Sequence, residues 1–181
     1  MLISIRGIDM NYLLTGHPGV GKTTIIKKVI EKLKLPAGGF YTEEIREDDM
    51  RTGFAVVTLS GFKGVLAHRN FKSRYKVGNY GVGVYTLNRI GVKEIQMCLM
   101  EKKVIVIDEI GKMELLSPQF QAVVEKALSA DNPVLGAITL ARHPFAQKVK
   151  ARDDVKIIEV TKENRAEVLE ALSKELKKIK A

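Results

Sequence analysis

Gly16-His17-Pro18-Gly19-Val20-Gly21-Lys22-Thr23 is the stretch whose reading decides the fold, because it satisfies G-x-x-x-x-G-K-[ST] at every fixed position. Tyr12-Leu13-Leu14-Thr15 before it reads as a short buried strand. Ile25, Ile26, Val29, Ile30 and Leu33 after it recur at helical spacing. A loop between strand and helix is the setting this motif needs. Its glycines let the backbone turn N–H groups inward around a phosphate, where a Cβ would collide. The helix opening near Lys22 adds unpaired N–H groups and the positive end of its dipole. Lys22 can then reach the β- and γ-phosphates, and the Thr23 hydroxyl can ligate Mg²⁺. Residues 16–23 therefore predict a bound nucleoside triphosphate.

Outward from the loop, Leu35-Pro36 stops the helix, Gly38-Gly39 reads as a turn, and Phe40–Ile45 reads as a second strand. Phe54–Leu59 and Lys63–Ala67 read as a hairpin about Ser60-Gly61, so residues from about 45 to 87 form an antiparallel or irregular insertion. From Ile90 the alternation is regular. Val92, Ile95, Leu99 and Met100 suggest a helix, and Val104–Ile107 a fully apolar strand. Ser117-Pro118 caps a further helix. Val134–Thr139 is a strand, Pro144 opens a short helix, Val155–Val160 is a strand, and Thr161 caps a long last helix. Apolar strands alternating with amphipathic helices predict an α/β fold: a mainly parallel sheet with helices on both faces. The 181 residues suit a single domain, with residues 1–9 a leader or an added edge strand.

Val104-Ile105-Val106-Ile107-Asp108-Glu109-Ile110-Gly111 supplies the second half of a nucleotide site. An aspartate ending a buried strand matches the Walker B pattern, in which it holds Mg²⁺. Glu109 beside it can orient a water and accept its proton during attack on the γ-phosphate. Glu43 and Glu44, which also follow a strand, are rival bases. Lys112, Arg46, Arg51 and Arg142 are candidates for the further positive charge that phosphoryl transfer needs.

Composition narrows the class. No apolar run approaches a membrane span, and Arg6 and Asp9 interrupt any signal-peptide core. Cys98 is alone, which excludes a disulfide framework and fits a reducing, cytoplasmic setting. His17, His68 and His143 share no metal-ligand spacing. The net charge is +9, and residues 50–93 contain no Asp or Glu while carrying Arg51, Lys63, Arg69, Lys72, Arg74, Lys76, Arg89 and Lys93. Phe71, Tyr75, Tyr80 and Tyr85 are interleaved, a mixture compatible with nucleic acid. A basic face around a polyanionic nucleotide explains the charge more simply, because no RNA-binding signature accompanies it. There is no N-K-x-D, so guanine selectivity of the GTPase kind is unsupported and the base contact is expected to be loose.

These residues also resemble one family. The phosphate loop, Gly39–Glu44, Val57–Gly61, Val77–Tyr80, Asp108-Glu109-Ile110-Gly111-Lys112-Met113-Glu114-Leu115 and Val160–Arg165 look like segments of the thermophile nucleoside-triphosphatases, relatives of a human cancer-related nucleoside-triphosphatase. The resemblance runs in order from about Tyr12 to Arg165. It implies a RecA-like variant of the P-loop NTPase fold. It also implies Mg²⁺-dependent hydrolysis of ATP, GTP, CTP and UTP to diphosphate and phosphate. Lys22 and Thr23 carry over as phosphate and Mg²⁺ contacts, Asp108 as the Walker B carboxylate and Glu109 as the base. Glu43, Lys112 and Glu114 match family positions of no assigned role, and Asn164-Arg165 fall near the base or ribose. Residues 1–9 and the Arg142-His143-Pro144 loop depart from the family. The expected protein is a monomer with no membrane partner, and nucleic acid is the less favoured partner beside the nucleotide. The alternatives are a P-loop nucleoside or nucleotide kinase and a nucleotide-switched RNA-binding protein.

Overall fold

Strand β1 (Asn11–Thr15) runs into the phosphate loop and helix α1 (Lys22–Leu33), as the apolar spacing predicts. The computed structural model describes residues 10–180, so the leader expected at residues 1–9 lies outside the described residues. After α1, Lys34 adopts a left-handed conformation and ends the helix. Strand β2 (Ala37–Glu47) follows at once, joined by β3 (Met50–Thr58), β4 (Lys63–His68), β5 (Lys76–Val77) and β6 (Tyr80–Val82). The chain then turns helical through α2 (Val84–Leu87), a wider π turn over Asn88–Val92 and α3 (Lys93–Cys98). Strand β7 (Val104–Ile110), α4 (Pro118–Leu128), β8 (Val134–Ile138), α5 (Pro144–Lys150), β9 (Val155–Glu159) and α6 (Arg165–Leu176) complete the regular alternation.

The nine strands of the described residues form one sheet, in the order β5-β6-β4-β3-β2-β7-β8-β1-β9. From β2 to β9 the pairs are parallel, and from β2 to β5 they are antiparallel. The insertion is therefore a continuation of the sheet. β2 serves both halves: Ala37–Tyr41 pairs with β7 in parallel, and Phe40–Glu47 pairs with β3 antiparallel. β8 lies between the phosphate-loop strand and the strand carrying Asp108, which leaves a crevice at the carboxyl ends of β1, β8 and β7.

Each parallel strand sends alternate residues to opposite faces. Leu13, Ile105, Ile107, Val134 and Ile138 pack beneath α3, α4 and α5 with Ile95, Phe120, Val124 and Ala146. Tyr12, Leu14, Val104, Val106, Leu135 and Ala137 pack beneath α1 and α6 with Ile26, Val29, Leu172 and Leu176. Burying each such large apolar side chain contributes roughly 1.5–3 kcal/mol, so two filled faces hold the strand ends in fixed register. Ser117 caps α4 as expected, its Oγ accepting from the Phe120 N–H at 3.0 Å.

Three expectations need correction. Gly38 and Gly39 do not turn the chain; they lie inside β2 opposite Ile105 and Val106. A Cβ on Gly38 would stand 2.2 Å from Cys98 Sγ, and one on Gly39 2.0 Å from the Val106 carbonyl oxygen, so close packing is the reason for both glycines. The helix expected from Ile90 begins at Val84, and Met100 lies beyond it with 89% of its surface exposed. The π turn resets the helical phase, so the spacing downstream does not extrapolate backwards. Thr161 caps the turn ahead of the last helix, and the helix itself starts at Arg165. Thr161 N–H donates to Asn164 Oδ1 at 2.8 Å, and Asn164 N–H donates to Thr161 Oγ1 at 3.2 Å.

Candidate active site

The phosphate loop leaves β1 at Thr15, whose hydroxyl donates to the Ile138 carbonyl at 3.1 Å and ties the loop's base to β8. Gly19 and Gly21 have φ of +80° and +108°, backbone that a side chain would strain. Val20 is buried behind the loop and anchors it to the α1 face. Among the described residues no side chain caps α1 and no acidic residue occupies its first turn, so its leading N–H groups are open to an anion. Lys22 folds back over the loop, its Nζ donating to the Gly16 carbonyl at 2.7 Å and the His17 carbonyl at 3.2 Å. That places the ammonium across the concavity a phosphate would enter.

Thr23, at the start of α1, donates through Oγ1 to Asp108 Oδ2 at 2.5 Å. A hydroxyl and a carboxylate oxygen side by side are hard oxygen donors suited to a divalent cation, which phosphate oxygens and water would complete. Among the described residues, no three His, Cys, Asp or Glu side chains converge on a closed metal cluster. Burial pushes the Asp108 carboxyl up to about 6; the Thr23 hydrogen bond opposes this and the neighbouring Glu109 reinforces it. Glu109 is also raised by burial, against the pull of Lys22.

Behind this pair sits a third carboxyl. Glu114 is fully enclosed and its carboxyl is pushed up to about 8, first by burial and then by Glu109. Thr42 Oγ1 lies 2.9 Å from the Asp108 carbonyl oxygen and 3.3 Å from Glu114 Oε1, linking β2, β7 and the buried acid. Gly111 permits the crowding: a Cβ there would stand 2.6 Å from Glu109 Oε1 and 2.8 Å from Glu114 Oε2.

These groups line a cleft of about 580 Å³ that runs from the phosphate loop to the antiparallel strands. A family model described as NTPase matches residues 11–173. The chain belongs to this NTPase family. A nucleoside-triphosphatase THEP1 of Thermotoga sp. strain RQ2 is 48% identical over 168 residues, covering 93% of this chain and 96% of the relative. The crystal structure of THEP1 from Aquifex aeolicus superposes with a TM-score of 0.83 at 38% identity, over 90% of this chain and 96% of that one. The solution structure of a human cancer-related nucleoside triphosphatase gives 0.79 at 39% identity, over 91% and 96%. The P-loop NTPase fold expected from the sequence is thus the fold observed, and the family's chemistry brings a divalent metal with its triphosphate substrate.

Within this NTPase fold the sequence candidates separate clearly. Thr42 and Glu44 line the cleft, while Glu43, between them on β2, points to the other face and meets Lys27 at 3.7 Å and Lys63 at 3.5 Å. Glu44 is held below the usual carboxylate range by its hydrogen bond from Arg51 and then by that from Arg46, each at 3.0 Å. Lys112 lines the cleft; Arg142 is exposed and does not. His143, after it, caps α5 by accepting the Phe145 N–H at 3.1 Å. Asn164 is used within the Thr161 turn and by the Glu159 carbonyl. Arg165 instead lies beside the phosphate loop, its Cδ 3.7 Å from where a Cβ of Gly21 would be.

Other cleft residues went unrecognised in the sequence: Thr42, Phe54, Val77, Met113 and Thr139. Thr139 follows the end of β8, and Thr42 lies in β2 just past its pairing with β7, a signal available once those strands are placed. Phe54 and Val77 come from the insertion and carry no such signal. Tyr80 of the acid-free segment packs edge-on against Phe54 at 5.4 Å, and Phe71 packs on His68 at 6.1 Å, so both serve the sheet itself. No helix among the described residues is long and apolar enough to cross a membrane.

Proposed function

We propose that this chain hydrolyses nucleoside triphosphates to diphosphate and orthophosphate with Mg²⁺ as the metal and little discrimination between bases. The observation that carries the reading is the Thr23–Asp108 hydrogen bond. It puts the end of the phosphate loop against the Walker B carboxylate, with Glu109 as the next residue. The naming of relatives up to 48% identical as nucleoside-triphosphatases supports it.

Residues 16–23 wrap the phosphates with backbone N–H groups, and Lys22 exchanges its two loop carbonyls for phosphate oxygens. Thr23 and Asp108 would hold the Mg²⁺, which supplies positive charge against the charge developing on the leaving diphosphate. Glu109, raised by burial and restrained by Lys22, orients the attacking water and takes its proton. Glu44 is a weaker base, because its oxygens are already engaged by two arginines. Arg165 offers a flat cation beside the loop on which any base can stack, and this accounts for loose selectivity.

The test is phosphate release from ATP, GTP, CTP and UTP, with and without Mg²⁺, comparing wild type, Lys22→Ala and Glu109→Gln. Release from all four with Mg²⁺ is expected. It should vanish in Lys22→Ala, and in Glu109→Gln turnover should be lost while nucleotide binding persists. Normal turnover in Glu109→Gln would remove Glu109 as the base and turn attention to Glu44.

A further inference from the structure

Hydrolysis uses only part of the cleft. The phosphate loop, Thr23, Asp108 and Glu109 line one part of it, and Arg165, beside the loop, is the proposed contact of the base. The remaining wall is built by Thr42, Glu44, Phe54, Val77, Lys112 and Met113 from the antiparallel half of the sheet and the loop after β7. In-line displacement brings the nucleophile in opposite the leaving diphosphate, and Glu109, the proposed base, lines the same cleft as this wall. The triphosphate and this wall share one cleft of about 580 Å³, within the roughly 300–1,000 Å³ of sites that hold small organic molecules. The wall is also chemically mixed in the way such sites are. Phe54, Val77 and Met113 are half-buried apolar groups, with Phe54 fixed by Tyr80 at 5.4 Å and by Arg51 at 5.2 Å. Glu44 is held rigid by its two arginines and presents a hydrogen-bond acceptor. Lys112 makes no ion pair among the described residues, and it lines the same space.

We propose that this compartment is an acceptor subsite for a nucleoside, whose sugar hydroxyl replaces water as the nucleophile. The ring rests against Phe54, Val77 and Met113, and Glu44 accepts from sugar hydroxyls. The hydroxyl oxygen forms a bond to the γ-phosphorus as the bond from that phosphorus to the β–γ bridging oxygen breaks. The diphosphate leaves with that electron pair, and the hydroxyl proton passes to the Glu109 carboxylate. The inference rests on the hydrolytic reading, since the same base and phosphate loop serve both nucleophiles. Hydrolysis is what the site performs when the compartment holds only water.

The experiment incubates the full-length protein with γ-labelled ATP and Mg²⁺, alone and with adenosine, guanosine, cytidine or uridine, and separates labelled phosphate from labelled nucleoside monophosphate. Labelled monophosphate from at least one nucleoside, formed at the expense of phosphate, is expected. Val77→Trp fills the compartment and Phe54→Ala removes its wall. Each should lower transfer by about tenfold or more, as misplacing a reacting group does, while leaving phosphate release without nucleoside near wild type. No labelled monophosphate from any of the four, with phosphate release intact, overturns the subsite and leaves the hydrolase standing. No phosphate release without nucleoside would instead overturn the hydrolytic reading. Undiminished transfer in both variants would place the acceptor elsewhere.

Discussion

Adding one methyl group at Gly111 should disable the site without touching the phosphate loop. A Cβ there would stand 2.6 Å from Glu109 Oε1, 2.9 Å from Glu109 Cγ and 2.8 Å from Glu114 Oε2. Ordinary contact is about 3.5 Å, so the Glu109 oxygen must retreat by about 0.9 Å. Glu114 has little room to yield, being only 3% exposed and bonded to Thr42. The displacement therefore falls on Glu109. Misplacing a reacting group by about 1 Å costs on the order of 10²-fold, so kcat in Gly111→Ala should fall about 10- to 100-fold. KM should hold, because Lys22, Thr23 and the loop N–H groups are unmoved. The assay is steady-state phosphate release, with the thermal midpoint as a check on folding. In a Glu109→Gln background the methyl group should cost nothing further, since both changes act on one carboxylate. A folded Gly111→Ala protein with kcat within about twofold of wild type would refute Glu109 as a base positioned by this packing.

Glu114 makes a prediction about stability. Its carboxyl lies at about 8 in the fold against an ordinary 4.5, so the folded state holds a proton that the unfolded chain releases. Its contribution is complete below about pH 4.5 and is lost as pH rises through about 8. The thermal midpoint of the nucleotide-free protein should drop between pH 5 and 9. Glu114→Gln, which keeps an acceptor for Thr42, should flatten that drop and be the more stable protein at pH 9 by on the order of 1–3 kcal/mol; parallel pH curves for the two proteins would refute the assignment. Arg165→Ala should raise KM for all four triphosphates by about two- to fivefold with kcat unchanged, the loss of an exposed cation–π contact of about 0.5–1 kcal/mol. A rise confined to one base would mean that Arg165 reads base edges, and a fall in kcat would mean that it serves the phosphates.

What the sequence made legible was local, and what it hid was contact between distant segments. The phosphate loop is eight consecutive residues between a strand and a helix, and the apolar run into Asp108 announces a buried strand without reference to anything else. Gly38-Gly39 could mean a turn or a close approach. Only Cys98 Sγ and the Val106 carbonyl, brought in by α3 and β7, decide between them. Glu114 is a charged residue type sitting 3% exposed behind Glu109, and no periodicity signals a carboxyl pulled inward by Thr42. Phe54 and Val77 reach the cleft only because the antiparallel strands extend the same sheet.

The rivalry among the glutamates shows how little was missing. β2 pairs with β7 as far as Tyr41, which lies opposite Asp108. Side chains alternate along a strand, so Glu44 shares the face of Thr42, which reaches the Asp108 carbonyl oxygen and Glu114, while Glu43 shares that of Tyr41 and turns toward Lys27 and Lys63. Two adjacent carboxylates that look equivalent in the chain are thereby assigned to opposite sides of the sheet. Of the two, only Glu44 lines the cleft, and its oxygens already accept from Arg46 and Arg51.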